Sequence, residues 1–455
     1  MAMATDSERQ GSSGHEKHQV FADDFAVDRV PMAARLPLGK VLWVQLGIVT
    51  AMSQFVLGAA LGFGMTFWRA FWALFLGGVL LVLVGVGIGV AGAREGLPTG
   101  LLARWCGFGK YGSGLISLLV VVGCTAWFGV QNAIFADAVN QATRGRLSPA
   151  LASLFTGVLL TVITISGFRW ISRTASFTVP AFALLVIYGA WRVLAAHTFG
   201  ELVAIPPTGQ ELTLVSGATM VAGGYMLGAV LTADIARFCR SPRDIFWVTL
   251  IGQLVGQFGV GMAGVLLAHA ARTRDVIRIT FGVAGWLGVT VACLATVKLN
   301  DMNLYSSSLH LTNLVDALFR RRVNRGLLTL GLGAAGTLFS VLGVLERIVP
   351  FLLILGVIVP PVGGVMLADY FFLKRDHEEL RSTRATSRLP RSCEWLNPMA
   401  VVAWVAGSAT GYFLPLGIAS LNSIAASALV YLAGMKTLAA LTRQPVVRFS
   451  ASPES

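Results

Sequence analysis

Two ionisable side chains lie inside one long apolar segment, residues 283–316, and they are the residues of this chain best placed to do chemistry. Lys298 and Asp301 are three residues apart, which puts them on one face of a helix. A lysine held away from water can release and regain a proton, because desolvation disfavours its charged form. The same spacing allows a fixed ion pair between the two groups. Proton exchange and a structural pair both stay open, although charges inside apolar segments usually serve function.

Amide and hydroxyl groups lie in a second setting, two glycine-rich apolar segments at 49–64 and 216–230. Glycines at this density favour helices that unwind near the middle of a membrane and offer backbone groups to a solute. The alternative is that they form small-residue surfaces for close helix packing. Ser53 and Gln54 lie in the first segment. An amide in lipid is costly, so Gln54 is expected to face either another helix or the solute.

The chemistry of a membrane enzyme is not indicated by any motif. The sequence contains no HExxH or GxSxG motif, and its five cysteines are scattered without a CxxC pair. We therefore expect no catalytic residue, no metal site and no cofactor, apart from a coupling ion that would be H⁺ or Na⁺.

Membrane helices must position these residues, because the composition is that of an integral membrane protein. The 455 residues are 55% hydrophobic and 13% charged, whereas soluble domains are about 25% charged. A membrane-spanning helix needs roughly 20 apolar residues, and backbone groups in lipid must pair within helices. Hydropathy predicts twelve spans, at 41–65, 68–93, 113–141, 149–168, 175–196, 213–236, 244–271, 283–316, 326–343, 346–373, 397–416 and 418–438.

The distribution of positive charge predicts a protein of the inner or plasma membrane with both termini in the cytoplasm. With the N-terminus inside, 26 of the 35 lysines and arginines fall in cytoplasmic segments and 8 in outer ones. The formal net charge of +13 therefore reflects membrane topology, so the expected partner is the lipid bilayer and not nucleic acid. The predicted division of the chain is an N-terminal tail at 1–40, a ten-helix transport core at 41–375, a basic cytoplasmic loop at 376–396, two additional helices at 397–438 and a C-terminal tail at 439–455.

The two glycine-rich segments fall in spans one and six, at corresponding places in two halves of the core. This pairing implies two five-helix inverted repeats, with spans eleven and twelve outside them. Paired broken helices favour alternating access around a central site over a continuous channel. The expected fold class is therefore an all-α membrane transporter in which spans one and six are broken.

Five stretches of the sequence carry a family resemblance: GAREGLPTGLLARWCGFGKYGS, AWFGVQNAIFA, LTADIARFCRSPRD, NDMNLYSSSL and VPPVGGVMLADYFF. In order and spacing they resemble the nucleobase:cation symporter-1 family, most closely its bacterial cytosine permeases, over residues 40–375. The resemblance implies the leucine-transporter-type fold. It also implies uptake of a cytosine, purine, uracil, allantoin or hydantoin-like heterocycle with Na⁺ or H⁺. A carrier of the same fold for amino acids or thiamine is the alternative.

The resemblance assigns substrate-binding roles to residues of spans three and six. Trp127 matches the family's stacking tryptophan, and Tyr225 matches its second aromatic position. Gly224 precedes this tyrosine, and we expect its backbone groups to be open to the ligand. Gln131, one helical turn from Trp127, resembles the glutamine of the hydantoin and allantoin branch. Cys124 stands where cytosine permeases carry an amide, so the expected pocket differs from a cytosine site.

Span eight departs most from the family pattern. Sodium-dependent members place neighbouring hydroxyl residues where this chain has Lys298 and Leu299. We therefore expect the Lys298 ammonium to replace the sodium ion, which gives Na⁺-independent, H⁺-coupled transport. A fixed pair with Asp301 is the alternative. Asn300 and Asn303 are the remaining amides of this span, and we expect one of them to contact the substrate.

Two further acidic residues match family positions near the cytoplasmic surface. Asp234 lies at the inner end of span six, and Asp369 lies at the end of span ten. We expect both to act as gate or cap residues and not as substrate ligands. The exact substrate and the oligomeric state stay open at this point.

Overall fold

The computed structural model describes residues 25, 28–166, 168–319, 323–390, 392–444 and 451–453. At 166, 168–177, 313, 316–319 and 451–453 it describes the backbone alone. Most of the predicted terminal tails therefore fall outside the described residues. Strands β1 (Ser392–Glu394) and β2 (Ala451–Pro453) pair antiparallel, and the rest of the regular structure described is helical.

The helices fall where hydropathy predicts the twelve spans. Seven are long and apolar enough to cross a membrane, and the bent pair α1–α2 makes eight. That all twelve stretches cross the bilayer stays a prediction. The helices are α1 (Leu38–Val49), α2 (Met52–Gly64), α3 (Phe67–Glu95), α4 (Thr99–Trp105), α5 (Gly109–Ala142), α6 (Pro149–Ser166), α7 (Phe168–Ala196), α8 (Phe199–Ala204), α9 (Leu214–Val230), α10 (Thr232–Ala236), α11 (Pro242–Gly252), α12 (Gly261–Ala271), α13 (Val276–Phe319), α14 (Arg325–Val341), α15 (Ile348–Ile358), α16 (Pro360–Leu367), α17 (His377–Arg384), α18 (Pro398–Phe413) and α19 (Ala419–Thr442), with π-helical segments at Gln253–Val260 and Ala368–Leu373.

Two groups of helices make up the core. The first, which we call the scaffold, consists of α5, α6, α13 and α14, and these four helices pack extensively on one another. The second, which we call the bundle, contains α2 packed on α12 and α3 packed on α9. The scaffold therefore holds spans three, four, eight and nine, and the bundle holds parts of spans one, two, six and seven.

Span one is broken, as predicted. Its two helices, α1 and α2, are inclined by 50° across a break formed by Thr50 and Ala51. Ser53 and Gln54 lie in the first turn of α2, and the Gln54 N–H donates to the Ala51 carbonyl at 3.1 Å. The break therefore sets the position of the two polar side chains that the sequence places near a solute.

The predicted break of span six at its paired glycines is wrong. Helix α9 runs unbroken through Gly223 and Gly224, and the interruption falls at Leu231, before α10. A Cβ at Gly223 would lie 1.9 Å from the carbonyl oxygen of Leu352 in α15. This glycine therefore permits a close approach of two helices, which is the small-residue packing that the sequence left as the alternative.

Span one packs along span seven through glycines. A Cβ at Gly58 of α2 would lie 2.0 Å from the carbonyl oxygen of Gly261 in α12. Gly256, in the π-helical segment of span seven, lies against Val49 at the end of α1. A Cβ at Gly256 would lie 2.5 Å from the Cγ2 atom of Val49. Contacts this close exclude larger side chains, so spans one and seven fit together only with glycine at these positions.

A buried ionic cluster joins the N-terminal segment to the ends of several helices. Arg29, which precedes α1, lies 3.1 Å from the carboxylate of Glu95 at the end of α3. Arg384 of α17 lies 2.6 Å from the same carboxylate, and Tyr370 donates its hydroxyl to it at 2.8 Å. Burial lowers the pKa of Arg29, and the Glu95 carboxylate opposes this effect. The cluster fixes the N-terminal segment to the ends of spans two and ten.

Candidate functional site

Spans three and six bring Trp127 and Tyr225 to a similar depth. The two helices touch where a Cβ at Gly123 would lie 2.8 Å from the Leu227 side chain. Trp127 is four residues beyond this contact on α5, and Tyr225 is two residues before it on α9. Because successive spans alternate in direction, the two offsets point the same way, by about 6 Å and about 3 Å at the helical rise. Both rings are half-buried and pack against one apolar cluster, which includes Cys124.

Phe351 is a third ring at this site, which the sequence analysis missed. It lies on α15, half-buried, with its ring centroid 5.4 Å from that of Trp127 and the planes at 76°. Such edge-to-face pairs are a favoured arrangement of aromatic rings. No sequence signal points to it, because an aromatic residue within an apolar helix acquires a role only from its tertiary neighbour.

Five buried amides have atoms without a hydrogen-bond partner among the described residues, and three of them are residues that the sequence assigned to the site. Gln131 of α5 and Gln54 of α2 are 1% and 2% exposed, and the Oε1 atom of each lacks a partner. Asn300 of α13 is 0% exposed, and neither its Nδ2 nor its Oδ1 has one. Leaving such a group unpaired costs about 1–3 kcal/mol. These atoms are therefore suited to bind a ligand that carries matching donors and acceptors.

Gln45 positions the Tyr225 hydroxyl and was also missed from sequence. It lies buried on α1, and its Nε2 donates to the Tyr225 Oη at 3.4 Å. The phenol then keeps its own hydrogen for donation to another group. A signal for Gln45 was available, because the cost of an amide in lipid applies to it as it does to Gln54.

The remaining residues that the sequence assigned to substrate binding lie on α2, α5, α9 and α13. Gly224 lies within the unbroken α9, so the expectation that its backbone is open to a ligand is wrong. A Cβ there would lie 3.1 Å from the side chain of Leu57, which fills that space. Cys124 is buried on α5, while Ser53 and Asn303 are half-buried on α2 and α13.

Lys298 reaches from the scaffold to span one. Its Nζ donates to the carbonyl oxygen of Gly47 in the last turn of α1. Asp301 points elsewhere and contacts the hydroxyl of Thr164 on α6. Within the described part of the chain the two form no ion pair, so the alternative of a fixed Lys298–Asp301 pair is wrong. Three helical residues leave about 60° between two side chains, which is enough to give them different neighbours.

Asp234 and Asp369 hold helix ends together. Asp234 accepts a hydrogen bond from the backbone N–H of Thr99, at the start of α4, at 2.7 Å. Asp369 is 1% exposed; it lies 2.8 Å from Arg375 and accepts the Tyr431 hydroxyl at 2.6 Å. Burial alone would lower the pKa of Arg375, but Asp369, Tyr431 and Glu394 together outweigh burial and raise it. That the two residues act as a gate or cap stays a prediction.

A broken first span and unpaired buried amides beside half-buried rings define the class of protein. This is a membrane carrier, with its candidate solute site where bundle and scaffold meet. More specifically, the chain belongs to the family described as permeases for cytosine/purines, uracil, thiamine and allantoin, whose profile matches residues 40–435.

Individual relatives agree with this assignment. The cytosine permease of Escherichia coli (strain K12) is 32% identical over 430 residues, which cover 92% of this chain and 97% of that protein. The inward-facing conformation of Mhp1 has a TM-score of 0.78 at 17% identity, covering 91% of this chain and 93% of that chain. Mhp1 in a closed conformation with bromovinylhydantoin bound, described as a nucleobase-cation-symport-1 family transporter, has a TM-score of 0.71 at 19% identity, covering 91% and 96%. The predicted family and the leucine-transporter-type fold are confirmed, while the two inverted repeats stay a prediction.

Proposed function

We propose that this permease imports a nucleobase or a related planar heterocyclic amide through a site that includes Trp127, Tyr225 and Asn300. The observation that carries the proposal is Asn300, whose buried side chain holds an unpaired donor beside an unpaired acceptor. The lactam or amidine edge of such a heterocycle presents the complementary acceptor and donor side by side. The similar proteins are named for cytosine or contain a bound hydantoin, and both molecules have this kind of edge.

The surrounding side chains suit an uncharged, flat solute. Base–aromatic stacking contributes about 1–3 kcal/mol per base, and two half-buried rings lie at a similar depth here. Gln131 and Gln54 each offer an unpaired buried oxygen that can accept from ring or exocyclic N–H groups. Amides recognise such edges without needing a counter-charge on the solute.

The proposed coupling ion is H⁺, carried by Lys298. Its bond to Gly47 joins α13 of the scaffold to α1, the inner half of span one. A protonated ammonium makes this bond charge-assisted and strong, whereas loss of the proton weakens it and releases α1. Only a difference in affinity between two conformations can drive the change between them. Protonation of Lys298 supplies that difference in place of a sodium ion.

The proposed location is the inner or plasma membrane, with both termini in the cytoplasm. Lysine and arginine are in excess in the two tails and in the segments that follow even-numbered spans, which supports this orientation. The ionic cluster around Glu95 lies on the same side, together with the N-terminal segment and α17.

Uptake of a radiolabelled panel into proteoliposomes tests the proposal, with pH and Na⁺ gradients imposed separately. At least one of cytosine, a purine, uracil, allantoin or a hydantoin should accumulate under an inward proton gradient without Na⁺. Uptake that disappears when Na⁺ is removed at fixed pH would contradict the role of Lys298. Accumulation of an amino acid or thiamine, and of no heterocycle, would overturn the substrate class.

A further inference from the structure

Asp301 is a buried carboxyl group on the scaffold side of span eight. It is 4% exposed, and its Oδ2 has no hydrogen-bond partner among the described residues. Val297 and Leu304, which flank it on the same helical face, pack into an apolar cluster with Phe128 of α5. A carboxylate in such surroundings is costly unless it is paired, and such groups commonly bind a proton instead.

The contact with Thr164 can accommodate both charge states of this carboxyl group. The Thr164 hydroxyl also donates to the carbonyl oxygen of Leu160 at 3.1 Å. A hydroxyl has one hydrogen, so a Thr164 that donates to Leu160 can meet Asp301 only as an acceptor, and Asp301 must then carry the proton. When Asp301 is ionised, the hydroxyl can rotate and donate to it. Each state therefore keeps a hydrogen bond, which is what a reversible proton site requires.

Polar groups lead from Asp301 toward the cytoplasmic end of the scaffold. Ser308 is seven residues further along α13, two helical turns away on the same face. Arg325, the first residue of α14, donates to the Ser308 hydroxyl at 3.1 Å and lies over the ring of Tyr305 at 4.1 Å. This polar contact lies two helical turns from the buried carboxyl group, at the segment that joins spans eight and nine.

The charged groups around Asp301 are few in the described structure. Arg325 is close enough to act on it electrostatically. On the same helix, Lys298 is directed to the Gly47 carbonyl, and His310 lies against Ser117 of α5. The side chain that α6 presents to Asp301 is the uncharged Thr164.

We propose that Asp301 is a second proton-binding site, separate from Lys298, which exchanges its proton with the cytoplasm along the scaffold. The proposal rests on the proposed proton coupling and adds to it. Lys298 binds its proton on the face of α13 that is directed to span one, which moves in the proposed transport cycle. Asp301 binds its proton facing spans four and nine, so that one span carries two titratable groups on different faces.

Infrared spectroscopy of the full-length protein in lipid tests the site without relying on transport. Wild type should show the carbonyl band of a protonated carboxyl group near neutral pH, and Asp301→Asn should lack it. Asp301→Glu should shift the band and keep it titratable. Glu211→Gln, which removes an exposed carboxylate of an outer loop, is the matched control and should leave the band unchanged. A band that survives in Asp301→Asn would overturn the assignment.

Transport separates this inference from the proposed function. One coupled proton supports about tenfold accumulation per pH unit of gradient, because one pH unit is about 1.4 kcal/mol. Asp301→Asn should lose about that factor while exchange of substrate at equal pH persists. Undiminished proton-driven accumulation in Asp301→Asn would contradict the proton site at Asp301 and leave the proposed coupling through Lys298 intact. If accumulation by the wild type does not respond to the proton gradient, the proposed coupling is wrong. If Asp301 requires Na⁺, the site binds a metal cation and not a proton.

Discussion

At the scale of single residues, the site depends on polar groups that the protein itself leaves unpaired. Asn300 illustrates this, since both atoms of its amide are buried without a partner among the described groups. Folding accepts the desolvation cost of that amide, about 1–3 kcal/mol, in exchange for a donor and an acceptor held ready for a ligand. A residue of this kind reduces stability and increases affinity, and the two effects can be measured separately.

Asn300→Leu should weaken substrate binding and leave the protein as stable or more stable. Two lost hydrogen bonds at about 0.5–1.5 kcal/mol each correspond to a rise in KM of about 5- to 150-fold. The buried amide no longer has to be desolvated, so the thermal unfolding temperature should not fall. Uptake kinetics and unfolding of the detergent-purified protein measure both quantities. An unchanged KM would place Asn300 outside the site.

Lys298→Met should uncouple transport from the proton gradient. Without the ammonium the bond to Gly47 is lost, and span one is no longer held to the scaffold in a proton-dependent way. Exchange of substrate at equal pH should persist, while accumulation driven by a pH gradient should disappear. Lys436→Met, on an exposed position of α19, is the matched control. Full proton-driven accumulation in Lys298→Met would contradict the proposed coupling.

At the scale of elements, hydropathy predicted the helices but glycine content did not predict the breaks. Runs of apolar residues coincide with helices of the structure, because a bilayer demands helices of a certain length. The glycines of spans one and six look alike in sequence. In span one the break at Thr50 and Ala51 precedes them, while Gly223 in span six serves close contact with α15. Whether a glycine accompanies a helix break or allows close packing depends on the helix that faces it. The position of that helix cannot be read from the sequence.

Gly223→Ala should reduce the yield and thermal stability of the folded protein. The added methyl group would meet the Leu352 carbonyl oxygen at 1.9 Å, so α9 and α15 would have to separate. Overpacking of this kind costs about 1–3 kcal/mol. Gly78→Ala on α3 is the matched control, because a Cβ there has no atom within 4 Å. If both variants unfold at the wild-type temperature, the close contact does not limit the packing of span six.

At the scale of the whole molecule, buried ionic clusters join elements that are distant along the chain. Asp369 of span ten, Arg375 of the following loop and Glu394 of β1 form one of them, and Tyr431 of α19 joins it. The sequence allowed Asp369 to be assigned a cap role by resemblance, but not its partners. These partners lie up to 62 residues away along the chain, and only the folded arrangement brings them together. Lys298 and Asp301 show the reverse case, in which sequence neighbours that could pair are directed to different helices.

Arg375→Met should destabilise the protein strongly. The variant leaves Asp369 and Glu394 as buried carboxylates without their guanidinium, and removal of one partner of a buried ion pair costs about 3–5 kcal/mol. The loss should appear as a lower unfolding temperature at neutral pH. Arg375→Lys, which keeps the charge, should retain part of the stability. A variant with methionine that unfolds like wild type would show that this cluster does not hold span twelve in place.

Equilibrium binding of a radiolabelled heterocycle panel to the purified wild-type protein, without any ion gradient, tests the central claim most directly. Saturable binding of at least one planar heterocyclic amide is predicted, with competition by other heterocycles that share its N–H and C=O edge. Failure of every heterocycle to bind saturably, together with saturable binding of an amino acid or thiamine, would contradict the account.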